Sequence, residues 1–179
     1  RRNAAATLLD HASGGRAATL AMRHYITEQE KISAWTPPVI GQHEVIFEAD
    51  KLRASRVTVV IPLYNYQQYV VEALDSVAAQ SLRDLDLVVV DDASTDASLK
   101  LVLAWTKAHA DRFNRVLVVR HLENCGLGIA RNTGFALACS LWIMALDADN
   151  RLRKTCCERC LEVADASGAA FVYPTLKRF

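Results

Sequence analysis

The chain has 179 residues, 51% of them hydrophobic and 23% charged, a balance that supports a folded domain with a substantial core and argues against disorder over its whole length. Its 21 basic and 20 acidic side chains leave a formal charge of +1, so the net electrostatics give no reason to expect nucleic acid or an anionic membrane as principal partner. No apolar run approaches the ~20 residues that span a bilayer, and five unevenly spaced cysteines (Cys125, Cys139, Cys156, Cys157, Cys160) argue against a secreted disulfide scaffold and for a reducing, cytoplasmic setting.

The chain opens Arg1-Arg2-Asn3 with neither an initiating Met nor a secretion signal, as expected of a piece of a longer polypeptide with further domains. Residues 1–56 read as an N-terminal extension, or the end of a preceding domain, with short helices expected over Ala4–Leu9 and Thr19–Lys31. Pro37-Pro38 marks a linker, because proline cannot continue a helix and restricts the residue before it. His43–Ala49 alternates enough for a strand that the pattern leaves open to assignment to that preceding domain.

From Val57 the pattern becomes regular. Val57–Ile61 is a β-branched run without polar alternation, the mark of a strand covered on both faces. Asn65 is placed to cap a helix carrying Val70, Leu74 and Val77 as far as about Gln80, and the strand Leu85–Val90 follows. Ser94 or Thr95 then caps a second helix with Asp96 in its first turn and Leu99, Val102 and Leu103 on its apolar face. A strand at Val116–Arg120, a helix over Ile129–Ser140 and a strand at Leu141–Leu146 continue the alternation; a helix near Lys154–Ala166 and a strand at Ala170–Tyr173 end it. Such an order demands a Rossmann-like, mostly parallel sheet flanked by helices over residues 57–179, with ligands beyond the carboxyl ends of the strands.

The chemistry-bearing residues sit at those ends. Asp147-Ala148-Asp149 follows a buried strand, and two carboxylates one residue apart can share a hard divalent cation whose shell is completed by water and substrate phosphates; a solvated turn is the plainer alternative. Asp91-Asp92 ends another strand, where Asp92 is chosen to accept from a base N–H or a ribose hydroxyl, while Asp91, Ser94 and Asp96 also suit helix capping. Gly126-Leu127-Gly128 opens a helix whose free N–H groups favour an anion, yet Arg131 occupies the last glycine position of a G-x-G-x-x-G pattern, so the dinucleotide fingerprint fails. Cys157, Cys160, Leu161 and Ala164 form one helical stripe and read as core rather than zinc ligands; the five histidines are isolated and receive no catalytic role.

Together, Val57–Asn65 (VTVVIPLYN), Val90–Asp96 (VDDASTD), Asn124–Gly134 (NCGLGIARNTG) and Asp147-Ala148-Asp149 resemble the GT-A glycosyltransferases of family 2 in order and spacing, over about Val57–Phe179. The resemblance implies a GT-A fold and transfer of a sugar, with inversion, from a nucleotide sugar, UDP being the commonest nucleotide in that family. The acceptor is a hydroxyl of a saccharide, a lipid-linked molecule or a protein, and the enzyme is cytoplasmic or peripheral to the cytoplasmic membrane face. It makes Pro62, Tyr64, Asn65, Asp91, Asp92, Arg131 and Asp147 the nucleotide-sugar contacts, with Asp149 the principal ligand of Mn²⁺ or Mg²⁺ and Asp147 assisting. The carboxylate base that such enzymes use on the acceptor is expected beyond Phe179, since Glu158, Glu162 and Asp165 fall on the last predicted helix.

A non-catalytic nucleotide-sugar-binding module is the second reading, supported by the missing base. Haloacid-dehalogenase-type phosphatases also use D-x-D after a buried strand, but in their first strand, whereas here it follows the fourth of the repeating pattern. A receiver domain needs a lone phosphoacceptor Asp and a downstream Lys, which this motif fits poorly.

Overall fold

The computed structural model describes residues 37–174, so the two helices expected upstream lie outside the described residues. Its elements are β1 (His43–Asp50), β2 (Val57–Leu63), α1 (Val70–Ala78), β3 (Leu85–Asp91), α2 (Ser98–His109), a 3₁₀ turn (Ala110–Arg112), β4 (Arg115–His121), α3 (Leu127–Leu137), β5 (Trp142–Ala145) and α4 (Cys156–Ser167).

β2 and β3 are uninterrupted apolar runs because both of their faces are covered, and every residue of each is buried. Alternate side chains point to opposite sides of the sheet. Val57, Val59, Ile61 and Leu63 of β2, with Leu85, Leu87 and Val89 of β3, pack against α1, α2 and α4. Val60, Val88 and Val90 pack with Leu117, Val119 and Ala130 on the α3 side. The apolar face of α1 (Val70, Ala73, Leu74, Val77) is fully buried, each Val or Leu contributing roughly 1.5–3 kcal/mol relative to exposure. Arg112 closes the end of that helix, its guanidinium donating to the carbonyls of Ala78, Gln80 and Leu82.

The strand order is β1-β4-β3-β2-β5. β2, β3, β4 and β5 run parallel, and β1 pairs antiparallel with β4 from His43 opposite His121 to Asp50 opposite Arg115. The sheet therefore begins upstream of Val57: the alternating His43–Ala49 segment supplies its edge, with half-exposed residues and a register shift between Val45 and Phe47 that suit a strand with only one neighbour. Because β3 and β4 lie on one side of β2 and β5 on the other, the chain reverses direction at β2, which opens a crevice at the carboxyl ends of β2, β3 and β5.

Three local expectations are corrected. Residues 170–173 form no strand; their apolar character is instead exposed, Phe171 and Tyr173 each at 78%, because an apolar run without a ladder partner has nowhere to place its backbone hydrogen bonds. Asn65 does not cap α1, which starts five residues later behind Tyr69, but sits in left-handed backbone at φ 55°. Neither Ser94 nor Thr95 caps α2; Ser98 N–H donates to Asp96 Oδ1 just ahead of the helix.

Gly134 lets α3 lie against the middle of the sheet, since a Cβ there would stand 2.2 Å from Val60 Cγ1. Alanine gains about 1 kcal/mol of helix propensity over glycine, but forcing α3 off a packed strand costs typically ~1–3 kcal/mol. Gly134→Ala is expected to be net destabilising, read as a lower denaturant midpoint; an equal or higher midpoint would show that α3 moves without strain.

Candidate functional site

The loop after β2 and the loop after β3 are stitched together before either meets a ligand. Asn65 Oδ1 accepts from the N–H groups of Thr95 (2.8 Å) and Asp96 (3.3 Å), and Asn65 N–H donates to Ser94 Oγ at 3.1 Å. Gln67 adds two bonds, its N–H to Asp96 Oδ2 and its Oε1 from Ala97 N–H. Asn tolerates left-handed backbone and bonds locally through its amide, so Asn65 holds the loops in register without lining the cleft.

The cleft has a volume of about 320 Å³. Pro62, Leu63, Tyr64 and Tyr66 line it from β2 and its loop, Asp92 from the end of β3, Asn124, Gly126, Leu127 and Ala130 from the start of α3, and Asp147, Ala148 and Asp149 from the loop after β5. Pro62, Tyr64, Asp92, Asp147 and Asp149 thus meet in one crevice, as expected. Asp91, on the same strand end as Asp92, does not line it: the side chain is fully buried, with Oδ2 accepting from Ser94 N–H and 3.6 Å from Arg120 Nε. Burial pushes its carboxyl up from the ordinary value, against Ser94 and Arg120, which lower it.

Asp92 is the hub of the wall. It is 2% exposed; Oδ1 accepts from His121 Nδ1 (2.6 Å) and Cys125 N–H (2.8 Å), and Oδ2 from Gly126 N–H (2.7 Å). A carboxylate has about four acceptor positions, so three internal bonds leave roughly one, on Oδ2, for a ligand. Asn124 Nδ2 donates to the Asp92 carbonyl. Gly126, at φ 85°, turns its N–H back onto Asp92, so that amide is not available to an anion at the α3 N-terminus. His121 continues the chain inward, its Nε2 2.9 Å from Thr133 Oγ1, which also accepts from Gly41 N–H. A Cβ on Gly41 would meet the His121 ring at 2.6 Å.

Arg131 reaches from α3 to Asp147, Nη2 to Oδ1 at 2.5 Å, while its buried Nε has no hydrogen-bond partner. Asp147 is half-buried and Asp149 exposed. A second, larger depression of about 970 Å³ opens beside β5 and α4 and shares Asp147 with the cleft; Arg151, Arg153, Arg159, Cys156 and Cys160 line it. It lacks the convergent acids of the smaller cleft, and Cys160 faces it rather than the core, where Cys157, Leu161 and Ala164 are buried. All five cysteines are free thiols. Among the described residues no helix is long and apolar enough to cross a membrane.

An open, doubly wound sheet with acids converging at its switch point defines a nucleotide-binding α/β domain. Residues 58–179 match the family model described as glycosyl transferase family 2, and the chain belongs to that family. It is 38% identical over 120 residues to the succinoglycan biosynthesis protein ExoO of Rhizobium meliloti, covering 67% of this chain and 33% of that protein. It is 33% identical over 126 residues to chondroitin synthase of Escherichia coli, covering 70% and 18%. Among solved structures, S. aureus TarS 1–349 in complex with UDP superposes with TM-score 0.57 at 28% identity, over 63% of this chain and 33% of TarS. The mannosyltransferase PcManGT of Pyrobaculum calidifontis, in complex with GDP-Man and Mn²⁺, gives TM-score 0.51 at 27% identity, over 82% and 39%. The chain thus spans about a third of the length of ExoO and less than a fifth of chondroitin synthase, and its sheet is of the expected GT-A type.

The roles of His121, Thr133 and Asn65 escape a reading by motif, since their partners lie 12 to 92 positions away in sequence. Asp92→Asn replaces one acceptor oxygen by an amide that faces N–H donors. It is expected to lower stability by about 1–3 kcal/mol and to speed hydrogen exchange at the Cys125 and Gly126 amides, measured by NMR; unchanged exchange there would remove Asp92 as the organiser of that loop.

Proposed function

We propose that residues 57–179 bind the donor of a metal-dependent, inverting glycosyltransferase that moves a sugar from a nucleoside-diphosphate sugar, UDP-linked by preference, to an acceptor hydroxyl on a saccharide, a lipid-linked molecule or a protein. The observation that carries this reading is the meeting of Asp92, Asp147 and Asp149, from the ends of β3 and β5, in one cleft at the switch point. The UDP preference is supported by the TarS complex, while the GDP-Man complex of PcManGT is that of a relative with a different nucleotide.

In this reading Pro62, Leu63 and Tyr64 flank the base, and Asp92 uses its remaining acceptor position on a base N–H. Carboxylate oxygens suit a hard divalent ion. Asp149, exposed in the cleft, is the principal ligand for Mn²⁺ or Mg²⁺, while Asp147, already paired with Arg131, assists through its other oxygen. Such an ion, when bound, neutralises charge on the leaving diphosphate. Arg131 holds Asp147 in place and brings its own positive charge to the same side, its Nε still lacking an acceptor. Asn65 and Asp91 act behind the wall, the first by fixing two loops together and the second by anchoring the loop after β3 through Ser94 N–H. The proposed setting is the cytoplasm or its membrane face.

UDP binding measured calorimetrically is expected to require Mn²⁺ or Mg²⁺. Asp149→Ala is expected to weaken it by about a hundredfold, or ~2.7 kcal/mol. Binding that is indifferent to both metal and substitution sinks the reading. Release of UDP from donor and acceptor by the intact protein then separates transfer from a module that only binds.

A further inference from the structure

We propose that Asp92, His121 and Cys125 form a second metal site, behind the wall of the cleft, that takes a borderline or soft d¹⁰ ion such as Zn²⁺ or Cd²⁺. It is separate from the all-oxygen pair Asp147–Asp149, and the proposal that it holds a metal does not depend on the glycosyl-transfer reading.

One oxygen of Asp92, one ring nitrogen of His121 and Sγ of Cys125 lie within 4.8 Å of one another. Tetrahedral zinc with bonds of about 2.0–2.3 Å spaces its ligands about 3.3–3.8 Å apart, so the set must draw in by about 1 Å. Asp92 and His121 are buried and fixed, but Cys125 is partly exposed, and its Sγ makes only a 3.4 Å contact with the Glu123 carbonyl. Rotation of one thiol is enough to close the site. The donors are one N, one O and one S, which favours Zn²⁺ or Cd²⁺ over Mg²⁺ or Mn²⁺.

The hydrogen bonds around His121 point the same way. Thr133 Oγ1 has one hydrogen, donated to the Ile129 carbonyl at 3.0 Å, and it accepts from Gly41 N–H at 3.0 Å. In its 2.9 Å contact with His121, Nε2 must then be the donor. With that proton on Nε2, the 2.6 Å approach of Nδ1 to Asp92 Oδ1 needs a cation between them, either a proton or a metal ion. A ligating histidine whose other N–H donates to a fixed acceptor is the arrangement that orients imidazole toward a metal. Binding exchanges the Nδ1 proton and the Cys125 thiol proton for the ion; both protons leave to solvent, Nδ1 and the thiolate coordinate, and water completes the shell.

Metal binding also draws Asp92 Oδ1 away from Cys125 N–H and so disturbs the loop that carries Asn124 and Gly126 on the cleft wall. A soft ion here is therefore expected to oppose nucleotide binding, a consequence that does rest on the donor-site reading.

The test is a Cd²⁺ titration of the full chain carrying Cys156→Ser and Cys160→Ser, which removes the other adjacent thiols, followed by thiolate-to-metal ultraviolet absorption. A saturable band at a single equivalent is expected, retained in Asp149→Ala and lost in Cys125→Ser. Thr133→Val, which removes the acceptor for Nε2–H, is expected to weaken binding about 10–100-fold. An undiminished band in Cys125→Ser, or its loss in Asp149→Ala, overturns the site. With Cd²⁺ bound, UDP affinity in Mn²⁺ should fall at least several-fold; an unchanged affinity overturns the coupling. If UDP does not bind even without Cd²⁺, the donor-site reading fails while the absorption band still decides the metal site.

Discussion

A single buried carboxylate fixes the geometry on which the cleft depends. Removing Asp92 from water is unfavourable unless its oxygens find donors, and the fold offers three, from a β4 side chain and two backbone amides ahead of α3. The bonds run both ways in their effect. They make an ionised group tolerable at 2% exposure, and they force the Asn124–Gly126 turn against the end of β3. Through His121 and Thr133 the same network reaches Gly41, so the segment entering the edge strand is held against the back of the nucleotide wall.

The two sides of the cleft are built differently. On the Asp92 side every loop is cross-linked, Asn65 and Gln67 tying the β2 loop to the β3 loop and Asp92 tying that to α3. On the β5 side the strand is four residues long and has a partner only in β2 among the described residues, and Asp149 is exposed. A wall that is rigid before binding suits recognition of a flat base. A more open edge suits carboxylates whose final positions are set by an ion and a diphosphate.

Much of this architecture is legible in the sequence, and the reason is burial. Strands covered on both faces cannot carry polar residues, so β2, β3 and β4 announce themselves as continuous apolar runs, and a parallel sheet follows from their alternation with helices. The acids at the strand ends are legible for the same reason: a carboxylate directly after such a run must lie at the sheet edge. What stays hidden is pairing at long range. Phe171, Val172 and Tyr173 have the composition of a strand without a partner strand, whereas His43–Ala49, less apolar, finds one in β4. Asn65 has the residue type of a helix cap but serves a loop thirty positions away, and an isolated histidine becomes the link between Asp92 and Thr133. No periodicity encodes these bonds.

The D-x-D pair is chemically asymmetric once the structure is in view. Asp147 faces a guanidinium that already satisfies one of its oxygens, so its charge is partly neutralised in the absence of any ligand. Asp149 has no such neighbour among the ion pairs of the described residues and keeps its full field toward the cleft. An incoming cation therefore gains more from Asp149, whereas an incoming anion meets Arg131 across Asp147. The unpaired Arg131 Nε makes the same point from the other direction: a buried donor without an acceptor costs about 1–3 kcal/mol, a deficit that an anionic ligand drawn against the guanidinium offsets. Two adjacent acids thus divide the work, one presenting charge to a metal and the other holding in place the cation that faces the phosphates.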